Sequence, residues 1–155
     1  MPAPPDGGEA TIQLGPSEIA ALLRHRYPFL LVDRIVELTA ERAVGIKNVT
    51  ANEPWAPGHL PGDAALPAAL LIEAMAQVGG ILLAHAPPFE SGDKPPDGYL
   101  AGLDRIELKR LVHPGDQLVI EAVNTAAAKP FARVHATARV GGSEVAAGEI
   151  SYYLA

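Results

Sequence analysis

The sequence predicts an α+β domain in which one long helix is buried within an antiparallel sheet of about six strands. Two observations carry this. The first is "ALPAALLIEAMAQVGGILLAHA", residues 65–86, a helix-forming run that is apolar nearly all round, as expected of a helix enclosed by its own protein. The second is its setting. Strand-like segments rich in β-branched residues precede and follow the run, most of them after it, so a sheet curled around one helix fits better than strands alternating with several.

The elements follow in order. The opening "MPAPPDGGEA" has neither a basic n-region nor an apolar h-region, so it is not a secretory signal. Residues 1–15 are expected to form a disordered tail. "PSEIAALLRH" carries a Pro-Ser start signal and places Ile19, Leu22 and Leu23 at helical spacing, which predicts a short amphipathic helix. Strands are expected near residues 31–39 and 42–50. "APGHLPGDAALP" is a loop dense in Gly and Pro, and the long helix runs from about residue 67 to residue 84. "PPFESGDKPPDG" reads as a second polar loop. Strands are then expected over 98–109, 117–127, 130–140 and 144–154, with "HPGDQ" and "GGSE" as turns. No internal repeat or linker divides the chain, so residues 16–155 are read as one domain.

Composition narrows the function. With 12 Lys and Arg against 18 Asp and Glu, the net charge is −6, which argues against nonspecific nucleic-acid binding and against an anionic membrane surface. The absence of cysteine excludes a disulfide scaffold, a thiol nucleophile and a zinc-thiolate site, and fits a cytoplasmic protein. The long run approaches the length of a membrane span. However, Glu73 and Gln77 sit one turn apart near its centre, and a central acid costs about 2.5–3.5 kcal/mol on insertion. It is therefore read as a buried helix.

Glu73 is the first site candidate. A carboxyl in apolar surroundings favours its neutral form and can then donate a proton; a structural acid satisfied by Arg or backbone donors is the other reading. His59, in "APGHLPGD", lies on a constrained loop fourteen residues before Glu73. It is either a functional base or an exposed loop histidine, and direct contact with Glu73 of the same chain is not guaranteed. The helix N-terminus is the third element. Pro67 suits the first helical position, and Leu66 offers no capping oxygen. The N–H groups of Ala68, Ala69 and Leu70 are then free to hold a developing oxyanion, unless Asp63 or water caps them. The remaining histidines, His25, His85, His113 and His135, are assigned structural or surface roles. No HxxxH spacing, GxSxG elbow, P-loop or GxGxxG turn is present, so no metal, nucleotide or other cofactor is expected.

Six segments in order, "HRYPFLLVDRI", "KNVTANEP", "GHLPG", "LIEAMAQ", "LAGLDRIELKR" and "VHPGDQL", make the chain closely similar to the FabZ-type (3R)-hydroxyacyl acyl-carrier-protein dehydratases of bacterial type II fatty acid synthesis. The likeness covers about residues 16–154. It implies a hotdog fold, homodimers commonly gathered as a trimer of dimers, and an active site at the dimer interface. There, His59 of one subunit faces Glu73 of its neighbour. His59 is implied as the base that removes the C2 proton, Glu73 as the acid that assists departure of the C3 hydroxyl, and the Ala68 N–H as the donor to the thioester oxygen. Gly62, Gln77 and Tyr99, the last at a position that gates the tunnel in some members, complete the implied substrate-binding set. Tyr99 can equally be a cross-strand packing residue.

The related dehydratase-isomerases of FabA type usually carry aspartate where this chain has Glu73, so dehydration without isomerisation is expected. Departures lie at Leu60, where phenylalanine is usual, at Ala68, where glycine is usual, at the helix entry "AALPAAL", and at Trp55–Ala56 after "NEP". They touch the pocket entrance and oxyanion site, and point to an altered chain-length preference or a specialised polyketide or polyene pathway. Carrier proteins are acidic, so Arg105, Lys109 and Arg110, with Arg24 and Arg26 next, are the docking candidates. A hotdog thioesterase and a noncatalytic acyl-binding module are the alternative functions. A transcriptional regulator is disfavoured by the lack of a helix-turn-helix segment.

Overall fold

The computed structural model describes residues 11–85 and 97–155. The chain forms α1 (Pro16–Leu22), β1 (Arg34–Leu38), β2 (Arg42–Asn48), α2 (Ala68–His85), β3 (Gly98–Leu108), β4 (Gln117–Ala128), β5 (Phe131–Val140) and β6 (Ser143–Leu154), in the predicted order. All strand pairs are antiparallel, in one six-stranded sheet ordered β1-β2-β4-β5-β6-β3. The sheet curls over α2, which lies across β2, β4 and β5. This is the hotdog arrangement.

Burial explains why α2 is apolar. Leu71, Ala74, Met75, Val78, Ile81 and Leu82 are enclosed and share one core with Leu118, Ile120, Val134, Ala136 and Ile150 of the sheet. The helix is long and apolar enough to cross a bilayer, yet more than half of it is buried inside the protein, so its hydropathy is spent on the sheet. Two glycines allow the close approach. A Cβ at Gly45 on β2 would lie 2.6 Å from Val78 Cγ2, and one at Gly79 on α2 would lie 2.3 Å from the Tyr152 hydroxyl oxygen.

Some boundaries differ from expectation for identifiable reasons. The first strand begins at Arg34 rather than 31 because the Leu31 N–H donates to Gln77 Oε1 of α2 at 2.9 Å, leaving the sheet. The helix α1 stops at Leu22, since Leu23 is already extended (φ −102°, ψ 139°). Pro67 is the cap of α2 rather than its first residue: its C=O accepts the N–H groups of Leu70 and Leu71 at 2.9 and 3.0 Å. The tail expected over 1–15 is shorter where it is described. Ile12 N–H donates to Leu38 C=O at 3.3 Å, and Leu14 exchanges hydrogen bonds with Ile35 of β1. Residues 1–10, and most of the loop expected at 87–98, lie outside the described residues.

The edge opposite β1 matters most for the site. β3 is eleven residues long and almost wholly exposed along its length. Tyr99, Leu100, Leu103 and Leu108 are each between 46% and 57% exposed. Unpaired backbone and apolar side chains on so long an edge form a template for pairing with another chain.

Candidate active site

Glu73 sits two turns into α2, beside a cleft of about 500 Å³ between α2, the segment after α1, and the ends of β3 and β6. Leu22, Leu83, Leu100 and Leu154 contribute apolar walls, and Ala76, Gly80 and Ala84 leave the helix side open. These positions and Glu73 fall on one face of the helix by their three- and four-residue spacing. Glu73 Oε1 accepts Gln77 Nε2–H at 2.9 Å and lies 3.2 Å from His25 Nε2. Among the described residues, Oε2 takes no hydrogen bond.

Gln77 lines the cleft but is buried, and the chain itself uses its whole amide. Oε1 accepts Leu31 N–H, while Nε2 donates to Phe29 C=O at 2.7 Å and to Glu73. It therefore orients Glu73 and pins the 29–31 segment to α2. His25, expected to be structural or superficial, is brought to the acid instead. Its ring stacks on Phe29, and its buried Nδ1 has no hydrogen-bond partner among the described residues. No spacing in the sequence links residues 48 apart; the only local sign was a histidine opening "HRYPF". Tyr152 on β6 also lines the cleft and was not anticipated. Burial, reinforced by Glu73 whenever that carboxyl is ionised, holds its phenol in the neutral form well above the usual tyrosine range, and its hydroxyl donates to Ala76 C=O at 2.7 Å.

His59 lies elsewhere in the protomer. Its backbone N–H donates to Trp55 C=O at 3.1 Å, and ring Nδ1 lies 2.7 Å from Ala65 C=O. A carbonyl can only accept, so this contact puts the proton on Nδ1 and leaves Nε2 of the neutral ring with a free lone pair, the form a general base needs. Gly62 follows at φ +90°, a backbone conformation that side chains resist, which lets Asp63 turn back. Asp63 Oδ1 then accepts Ala65 N–H at 3.1 Å and meets His113 Nε2 at 3.3 Å. Asp63 thus leaves the helix entry open. Among the described residues nothing accepts from the N–H groups of Ala68 or Ala69, both of which are exposed. Leu70, the third expected free donor, bonds Pro67.

The protomer thus gathers Glu73, Gln77 and Tyr99 at the cleft, with His59, Gly62 and Ala68 on and after the preceding loop. Among the described residues no hydrogen bond or ion pair joins His59 to Glu73. The basic candidates on β3 and beyond it each have an acidic neighbour: Arg105 with Asp104 at 3.3 Å, Lys109 with Glu144 at 2.6 Å, and Arg110 with Asp116 at 3.7 Å. Arg24 pairs with Asp97 at 2.5 Å beside the cleft.

Comparison with known proteins places the chain in a family. A family model described as a FabA-like domain matches residues 23–149. A 3-hydroxyacyl-acyl-carrier-protein dehydratase FabZ from Syntrophomonas wolfei is 44% identical over 92% of this chain and 97% of that one. The FabZ of Clostridioides difficile is 45% identical over 88% and 94%. Among solved structures, the dehydratase heterocomplex ApeI:P of Xenorhabdus doucetiae aligns with a TM-score of 0.73 at 18% identity, covering 88% of this chain and 90% of that one. A hypothetical thioesterase protein with coenzyme A from Streptococcus pneumoniae aligns with a TM-score of 0.61 at 11% identity, over 78% of this chain and 84% of that one. At such identities these two show the fold alone. With a family model spanning most of its length and FabZ relatives matched nearly end to end, the chain belongs to the FabA-like family of hotdog dehydratases, on its FabZ branch.

Proposed function

We propose that the chain dehydrates (3R)-hydroxyacyl thioesters carried on acyl carrier protein to trans-2-enoyl thioesters, in cytoplasmic fatty acid synthesis or a related polyketide or polyene pathway. The FabZ relatives support the reaction. The observation that carries the residue assignment is the fixed tautomer of His59, whose Nδ1–H is held by Ala65 C=O at 2.7 Å.

In this reading Nε2 of His59 removes the C2 proton and the electron pair moves toward the thioester carbonyl. The Ala68 N–H, without an acceptor among the described residues, stabilises the charge on that oxygen. Protonated Glu73 then gives its proton to the C3 hydroxyl, which leaves as water as the C2–C3 double bond forms. The cleft beside Glu73 takes the acyl tail.

His59 and Glu73 meet across a homodimer. The exposed edge of β3 supports this: pairing with a second β3 would continue the sheet and cover the apolar residues of β3. Resemblance to the family supports a further assembly into a trimer of dimers. Carrier protein docks on Arg105, Lys109 and Arg110, whose charge complements an acidic partner.

The test is hydration of a short trans-2-enoyl thioester, followed by loss of enoyl absorbance with thiol release measured in parallel. The reading expects hydration without thiol release, abolished by His59→Ala and by Glu73→Gln. Thiol release without hydration would make the protein a thioesterase. Neither activity from a folded oligomer, on carrier-bound substrates of several chain lengths, would make it an acyl-binding module.

A further inference from the structure

We infer that Lys47 and Glu53 form a buried brace that fixes the His59 loop, making both of them positioning residues for the base; this rests on the assignment of His59 above. Lys47 on β2 is only 3% exposed. Its Nζ donates to Glu53 Oε1 at 2.9 Å and to Asn48 C=O at 3.4 Å. An ammonium withdrawn from water is stable only when paired this closely.

The Glu53 carboxylate is engaged at both oxygens. Oε1 also accepts Thr50 N–H at 3.4 Å, and Oε2 accepts the Trp55 indole N–H at 3.2 Å. The Trp55 C=O in turn accepts the backbone N–H groups of Gly58 and His59, both at 3.1 Å. A path of charge-assisted and neutral hydrogen bonds, carried through Trp55 itself, therefore runs from the end of β2 to the backbone of His59. Beyond it, Leu66 N–H donates to Val112 C=O at 2.7 Å, so the loop is held on both sides of the histidine.

Direction distinguishes this brace from a plain stabilising contact. An apolar pair would fill the same space, often with equal or greater stability, but would not fix the orientation of Trp55. A carboxylate bound at both oxygens does. The base must reach a substrate carbon held by another subunit, and small misplacements of a catalytic group reduce rate far more than they weaken binding.

Glu53→Gln alone would strand the buried Lys47 charge, so the paired variant Lys47→Met/Glu53→Gln and the uncharged change Trp55→Phe form the test. Both are to be compared with the parent by hydration kinetics and by NMR of the histidine ring nitrogens. Trp55 is the only tryptophan, so its emission reports the brace directly in the paired variant. The brace predicts that kcat falls about 10–100-fold in both variants, with KM changed by less than about threefold. It also predicts a shifted Trp55 emission in the paired variant and altered His59 ring signals in both.

Folded variants with kcat within about twofold of the parent and unchanged His59 signals would overturn the inference. If the paired variant fails to fold, Trp55→Phe decides alone. If the parent hydrates no enoyl thioester, the functional reading fails separately, and the His59 signals still decide: altered signals sustain the brace and unchanged ones refute it.

Discussion

Two adjacent glycines on α2 should respond to alanine in opposite directions. A Cβ at Gly79 would stand 2.3 Å from the Tyr152 hydroxyl oxygen and 2.8 Å from Val134 Cγ2. Neither neighbour can yield cheaply. Tyr152 is buried and its hydroxyl is committed to Ala76 C=O at 2.7 Å, and Val134 is fully enclosed in β5. Overpacking of this kind costs about 1–3 kcal/mol, and a displaced, unsatisfied buried hydroxyl costs about 1–3 more. The alanine recovers about 0.8–1 kcal/mol of helix propensity. Gly79→Ala should therefore destabilise by about 1–5 kcal/mol net. At Gly80 the added Cβ meets only Leu23 Cδ2, at an ordinary 3.6 Å, so Gly80→Ala should gain about 0.5–1 kcal/mol. Urea unfolding at one fixed protein concentration measures both, with the slope checked for constancy. A Gly79→Ala protein as stable as the parent would refute the packing of α2 against Val134 and Tyr152, and a Gly80→Ala protein less stable by more than about 1 kcal/mol would refute the open space between Gly80 and Leu23.

Other outcomes follow from the same geometry. Gln77→Leu leaves Leu31 N–H and Phe29 C=O without the partner they have now; stability should fall by about 2–6 kcal/mol in thermal or urea unfolding, at about 1–3 kcal/mol per orphaned group, and hydration should also fall because Glu73 loses its orienting donor. Tyr152 has a folded pKa above its unfolded value of 10.0, so its contribution is complete below about pH 10 and is lost as pH rises toward the folded value. Stability measured from pH 8 upward should decline beyond pH 10, and Tyr152→Phe should flatten that decline while costing about 1 kcal/mol at neutral pH for the lost hydrogen bond. Reversing Arg105, Lys109 and Arg110 to glutamate should raise KM for carrier-bound substrate about tenfold or more, most clearly at low salt, and leave KM for a small pantetheine thioester unchanged; equal effects on both substrates would remove these residues from the docking surface.

Local chemistry made much of this structure legible in the sequence. The run over residues 65–86 is apolar enough to require enclosure, and the alternating segments after it are long enough to supply the sheet. Together these led to the arrangement, and the strand boundaries beyond residue 97 fall within a residue or two of their predicted places. Glu73 stood out because its charge conflicts with its neighbours, and His59 because of its Gly-Pro setting. What could not be read depends on distant partners. The short first strand comes from Gln77 capturing Leu31 across 46 residues, and the pairing of His25 with Glu73 spans 48. The role of Glu53 needs the folded loop that places Lys47 on one side and Trp55 on the other. The pairing of Ile12 and Leu14 with β1 was hidden by the Pro- and Gly-rich residues just before them.

The central claim is that His59 and Glu73 act together across two subunits. Mixing tests it most directly: His59→Ala and Glu73→Gln chains are purified, unfolded together, refolded, and assayed for enoyl-thioester hydration. Each variant alone should be inactive. In a mixed dimer one interface site joins the intact His59 of one chain to the intact Glu73 of the other, so random reassortment should restore about one quarter of parent activity in a symmetric dimer. If both groups acted within one chain, every chain in the mixture would carry a broken site, and a mixed, folded dimer that stays inactive would contradict the account.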